Sequence, residues 1–222
     1  MPLLDDIRAE IDRTIIHLIE IGLCEAQNFP SVRQLSNNVF EVGLSSGLHT
    51  SIPLRGLEYE KVYFSLRDRG SFNMKLLDGA FLILHYRVTS TAIIAHRLAF
   101  FPSPVLDDFQ GSPEKYREDQ LYADIVDKRI VPFPIRFDYL KSIEGNKVEG
   151  HPDCHLTLGQ YKGCRIPVST PLSPITFVDF IVQHFYTPVV ETLWRCPRAA
   201  VSRLDSCISD SELARVHLVI PG

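Results

Sequence analysis

At 222 residues, 45% hydrophobic and 23% charged, the chain has the apolar material for a real core, and global disorder is excluded. A net charge of -4 argues against a protein that tracks long nucleic acid on a bulk basic face, although 23 Lys and Arg leave room for a local basic pocket. No apolar run approaches the roughly 18 residues of a spanning helix and no basic amphipathic run occurs, so no membrane partner is expected.

The spacing of Leu4, Ile7, Ile11, Ile15, Leu18 and Ile21 predicts an amphipathic helix within residues 1–23. Asp5 and Asp6 sit in its first turn, where the helix dipole favours acids. "GLCEAQNFPS" ends it. Residues 38–168 are expected to be mostly antiparallel sheet. "NVFEVGL" alternates, "EKVYFSLRD" reads as a second strand, and "SFNMKLL" runs to the hairpin signal Asp78-Gly79. "AFLILHYRV" and "AIIAHRLAFF" form a hairpin around Thr89-Ser90-Thr91. An even loop pairs positions summing to 181, setting His85 opposite His96, Ile83 opposite Leu98 and Phe81 opposite Phe100.

"FFPSPVLDDFQGSP" is a proline-rich connector, and Ser112-Pro113 starts an acid-rich helix, "PEKYREDQLYADIVDKR". "IVPFPIRFDYL" is a strand that turns Arg136 and Asp138 to one face and Phe137 to the other. "HLTLGQYKGCRIPV" is a hairpin with its turn between Gly159 and Gly163. Ser173 caps, and Pro174 begins, an apolar helix over 174–190, with Phe177, Phe180, Ile181, His184 and Phe185 on one face. A short helix near 209–216 closes the chain. The expectation is therefore a single α+β domain over 1–222: an antiparallel β-sheet packed against an N-terminal helix and a C-terminal-half helix.

The densest chemistry is "GHPDCHLTLGQYKGCRIPVS". His151, Cys154, His155 and Cys164 are zinc-compatible atoms, but adjacent Cys154 and His155 point to opposite faces of a strand, so the four do not converge without a bulge. No metal and no cofactor are expected. Neither cysteine has a helix terminus or oxyanion device beside it, which weighs against a thiol nucleophile. The carboxylates Asp107, Asp108, Glu118, Asp119 and Asp124 read as solvated surface rather than a metal cage. Five cysteines, an odd number, do not make a disulfide framework, and the first residues lack a basic, apolar and small-residue leader pattern. A reducing cytoplasm is the expected compartment.

Two histidines can cleave RNA without a metal if an arginine or lysine stabilises the phosphorane. The candidate set is His151 and His155 for proton transfer, Asp138 to orient one of them, and Arg136 and Arg165 to hold phosphate. The plainer alternative is a structural Arg136–Asp138 ion pair with His151-Pro152 starting a turn.

"SFNMKLLDGA", "HRLAFFPSP", "YREDQLYADI", "PIRFDY" and "HPDCHLTLGQYKGCRIPVSTPLSPITFVDFIVQHFY" resemble a bacterial family catalogued as a domain of unknown function, over about residues 70–186. The resemblance implies a single-domain cytoplasmic protein encoded among mobile elements and defence genes. It implies no reaction. The order "RFD", loop, "H-x3-H" is also loosely similar to small toxins of toxin–antitoxin pairs. The functional expectation is a toxin- or defence-like effector acting on RNA or another phosphate ester. The alternative is a non-catalytic accessory subunit that docks a protein partner, the product of a neighbouring gene, through its sheet face or C-terminal tail.

Overall fold

The computed structural model describes residues 2–45, 57–105, 132–142, 151–161, 163–197 and 204–220 of the chain. Helix α1 spans Pro2–Glu20. Strands β1 (Cys24–Gln27), β2 (Ser31–Ser36) and β3 (Val39–Gly43) follow it. Helix α2 (Tyr59–Asp68) precedes β4 (Met74–Leu76), β5 (Phe81–Val88) and β6 (Ile93–Phe101). Strands β7 (Ile135–Leu140), β8 (Cys154–Leu158) and β9 (Ile166–Pro167) complete one sheet. Helices α3 (Pro174–Phe185), α4 (Thr187–Thr192) and α5 (Asp210–Leu213) close the chain.

The sheet runs β1-β4-β5-β6-β7-β8-β9, with β2-β3 joined to β5. Its strand ladders are antiparallel. The architecture is the α+β one expected, with α1 and α3 on one face. Ile7, Ile11, Ile15 and Leu18 of α1 meet Phe177, Val178, Ile181 and Val182 of α3 over Leu84, Tyr86, Leu98 and Phe137 of the sheet. The two helices are locked at one point: buried Glu10 accepts the Ile175 N–H at 3.0 Å, in the first turn of α3. Ser173 caps that helix through the Thr176 N–H, as its sequence predicts.

Three expectations change. Residues 60–68 are helix, not strand. Tyr59, Val62, Tyr63 and Leu66 form a helical stripe, and Val62, Tyr63 and Leu66 pack with Phe72 and Phe81 on the second sheet face. The apolar positions 62, 64 and 66 fit a strand equally well, so burial decides between the two periods. Second, the β5–β6 hairpin holds the sum of 181 only at its tip, where Val88 pairs Ile93. A bulge at Ile94 shifts the rest to 182, so His85 pairs Arg97 and Tyr86 pairs His96. His85 and His96 therefore point to opposite faces. Third, the helix expected over 174–190 breaks after Phe185. Tyr186 turns inward to donate to Asp78 Oδ2 at 2.8 Å, and the chain restarts as α4. The core stripe of α3 includes Val178 and Val182, while His184 and Phe185 are exposed.

Asp78-Gly79 makes the predicted turn. Gly79 has φ +82°, and a Cβ there would crowd Ser103 and the Tyr63 hydroxyl at 3.1–3.2 Å. The connector after residue 105, the helix expected at 113–129 with its carboxylates, and the loop at 143–150 lie outside the described residues.

Candidate functional site

Strand alternation separates β5–β8 into an apolar face under α1 and α3 and a second face of different composition. On that second face α2 covers one end, over Phe81, Ile83, Ala99 and Phe101. Next to it the register places Ile83, Ala99, Arg136 and Thr157 side by side. One step further along the strands lie His85, Arg97, Asp138 and His155, directly opposite one another on four neighbouring strands. Continuing the β8–β9 register by one residue sets Arg165 opposite Thr157. Thr157 thus lies between two arginines.

Asp138 is held from both sides. Its Oδ1 accepts from Arg97 Nε at 2.8 Å and its Oδ2 from Arg136 Nε at 2.5 Å. Burial pushes its carboxyl pKa up, but the Arg136 and Arg97 guanidiniums outweigh it and hold the group below the ordinary value. The same Oδ2 is 4.0 Å from His155 Nε2, an ion-pair distance rather than a hydrogen bond.

His155 is buried, with Nδ1 at 3.2 Å from the Pro152 carbonyl. Donation from Nδ1 leaves the lone pair on Nε2, on the Asp138 side. Burial lowers its pKa and Arg165 acts in the same direction, against the opposing pull of Asp138. The ring is therefore neutral near pH 7 and able to accept a proton. His151 stands edge-on to it, ring centroids 5.2 Å apart at 86°, and its Nδ1 lies 3.2 Å from the same carbonyl. The loop start is fixed by Asp153, which accepts from the Ser142 hydroxyl at 2.6 Å.

The far end of the row carries a second carboxylate–imidazole contact. His85 Nε2 meets Glu41 Oε1, and Arg33 Nη2 meets Glu41 Oε2 at 2.6 Å. Gly43 makes room for it, since a Cβ there would lie 3.0 Å from the His85 ring. Burial lowers the His85 pKa despite Glu41.

All five residues singled out in the sequence thus fall in one neighbourhood. His151, His155, Asp138 and Arg136 are in contact in a chain, and Arg165 sits one strand away. Arg97 and the Arg33–Glu41–His85 cluster lie outside the sequence-based set. The pattern Ala95-Arg97-Ala99 puts a charge on this face, but only the register across the Ile94 bulge shows what it meets. Counting formal charges with neutral histidines, Arg33, Arg87, Arg97, Arg136 and Arg165 against Glu41 and Asp138 leave this face at +3, in a chain whose total is -4.

Cys154 points the other way, into the core, where its thiol donates to the Thr170 carbonyl at 3.3 Å. The neighbouring Cys207 thiol and, after it, burial keep it protonated. Among the described residues no three His, Cys, Asp or Glu side chains converge to hold a metal ion. No helix there is long and apolar enough to cross a membrane.

These features define an α+β protein whose described strands form one antiparallel sheet with a net-positive, histidine-bearing face. The chain belongs to the family described as an uncharacterized conserved protein (DUF2290), whose profile matches residues 23–220. Searches of curated proteins and of solved structures gave no match.

Proposed function

We propose that the protein is a metal-independent phosphodiesterase acting on RNA or another phosphate ester, as an effector of toxin or defence type. The observation that carries the reading is the row itself: a neutral histidine beside a second histidine, on a face that an acidic chain has made net positive.

On an RNA substrate, His155 Nε2 takes the proton of the 2′-hydroxyl. The 2′-oxygen attacks phosphorus, the bond from phosphorus to the 5′-oxygen breaks, and His151 returns a proton to that leaving oxygen. The product is a 2′,3′-cyclic phosphate. Arg136 and Arg165 neutralise the charge that builds on the non-bridging oxygens. Asp138 holds the Arg136 and Arg97 guanidiniums in place, and its charge supports the imidazolium that forms transiently on His155.

The test is incubation of purified protein with end-labelled RNA in excess chelator. Cleavage to cyclic-phosphate ends is expected. Intact RNA, or cleavage that needs a divalent ion and leaves 5′-phosphates, would overturn the proposal.

The accessory-subunit reading has one observation of its own: Val216 and Val219, 89% and 70% exposed, leave apolar surface at the C-terminal tail. A stable hetero-complex that is lost on deleting residues 209–222, together with inert protein in the RNA assay, would favour it.

A further inference from the structure

Beyond the two polar rows, on the side of α2, the same sheet face ends in a groove of about 350 Å³. Tyr59, Pro132, Phe133, Pro134, Gln160 and Tyr161 line it, together with Gly159. It follows from the register. Gly159 N–H donates to the Pro134 carbonyl at 2.7 Å, so Pro134 and Gly159 form the next rank after Arg136 and Thr157, with the other lining residues around them. That rank lies two residues along each strand, about 7 Å at strand rise.

The groove is walled by aromatic rings and prolines rather than charge. Tyr161 is 78% exposed and Phe133 43%. The Tyr161 ring lies against Gly159, where a Cβ would come within 3.3 Å of it. Tyr59 is anchored by its hydroxyl to the Pro102 carbonyl at 2.5 Å, and its ring stacks parallel to Phe101. Gln160 is tied to the Leu57 carbonyl at 2.9 Å. The arrangement is a set of flat faces, one rank away from two arginines.

We infer that this groove stacks an unpaired nucleobase adjoining the phosphate held by Arg136 and Arg165, so that the substrate is single-stranded RNA rather than duplex or a small phosphate ester. The inference rests on the phosphodiester reading of the arginine rows. Charge and chemistry both favour this occupant. A proline-rich peptide would use the aromatic walls but leave the adjacent cationic rows unanswered. A nucleotide chain supplies an anion and a π-face at alternate positions, in the order the face presents them. A duplex keeps its bases stacked inside and out of reach of side chains on a flat sheet.

Fluorescence anisotropy on the full chain tests it, with a short 2′-O-methyl oligoribonucleotide that cannot be cleaved at the 2′-oxygen. The comparison probes are the same oligomer with abasic positions and the same sequence as a duplex. Tyr161→Ala and Phe133→Ala should each weaken single-strand binding by roughly tenfold, the scale of one lost base–aromatic stack. Neither should change binding of the abasic oligomer, and Tyr161→Phe should bind as the wild type does. Equal losses on the abasic probe, no loss at all, or duplex bound as tightly as single strand would overturn the inference. So would displacement of the RNA by a proline-rich peptide but not by free single strand. The two readings fail separately. If unmodified RNA stays intact while the Tyr161→Ala effect holds, catalysis is wrong and the groove stands. If cleavage holds without any Tyr161→Ala effect, the groove is wrong and catalysis stands.

Discussion

Replacing Asp138 by Asn keeps the shape of the centre and removes its charge. In the wild type each carboxylate oxygen takes one guanidinium Nε–H, at 2.8 Å from Arg97 and 2.5 Å from Arg136. An amide has one oxygen to offer. Its NH2 must then face the other Nε–H, donor against donor, and two arginines lose their shared counter-charge. One charge-assisted hydrogen bond is worth about 1.5–3 kcal/mol, and an uncompensated half-buried cation adds to that, so Asp138→Asn should cost ~3 kcal/mol at pH 7. The pH dependence follows from the lowered carboxyl pKa. The contribution is complete above the unfolded value near 3.8 and disappears as pH falls through the lower folded value. Urea unfolding followed by circular dichroism, at pH 7 and again near pH 2.5, measures both. The wild-type advantage should be full at the first and smaller at the second. A difference within about 0.5 kcal/mol at pH 7, the range of an ordinary surface substitution, would refute the reasoning.

Two further outcomes concern the core face. Glu10→Ala strands the Ile175 N–H at the start of α3 and should destabilise the protein by about 1–3 kcal/mol in urea unfolding, whereas Glu10→Gln, which keeps an acceptor, should cost less. His96 is fully buried, accepts the Leu172 N–H at Nε2, and has its pKa driven by burial from 6.5 to about 4. The unfolded chain takes up that proton first, so stability is full above pH 6.5 and is lost as pH falls towards 4, by ~3 kcal/mol in all. Unfolding midpoints of His96→Gln across this range should show a correspondingly flatter profile than the wild type.

The fold is readable wherever one period dominates. The stripe Ile7-Ile11-Ile15-Leu18 admits only a helix, and the alternation around Phe137 admits only a strand. Ser173-Pro174 and Asp78-Gly79 mark their turn chemistry in the sequence itself. Residues 59–68 mislead because Val62, Phe64 and Leu66 alternate while Tyr59, Val62, Tyr63 and Leu66 also repeat helically. The deciding factor is the apolar patch of Phe81, Ile83 and Phe101 waiting to be covered, which local sequence does not display. The candidate site is legible in part. Arg136 and Asp138 sharing a face, and Cys154 and His155 opposing one another, follow from strand geometry alone. The row from His85 to His155 does not. It depends on a single extra residue at Ile94, and a one-residue shift changes which side chain meets which. Arg97 escapes sequence reasoning for that reason, although it is one of the two groups that hold Asp138.

The most direct test of the phosphodiesterase account is the first-order rate of RNA cleavage in chelator by wild type and by His155→Ala, with matched folding shown by circular dichroism. Loss of a positioned general base should lower the rate by about 100-fold or more. A rate within about twofold of wild type would mean that His155 transfers no proton in the reaction, and the account built on its row would be contradicted.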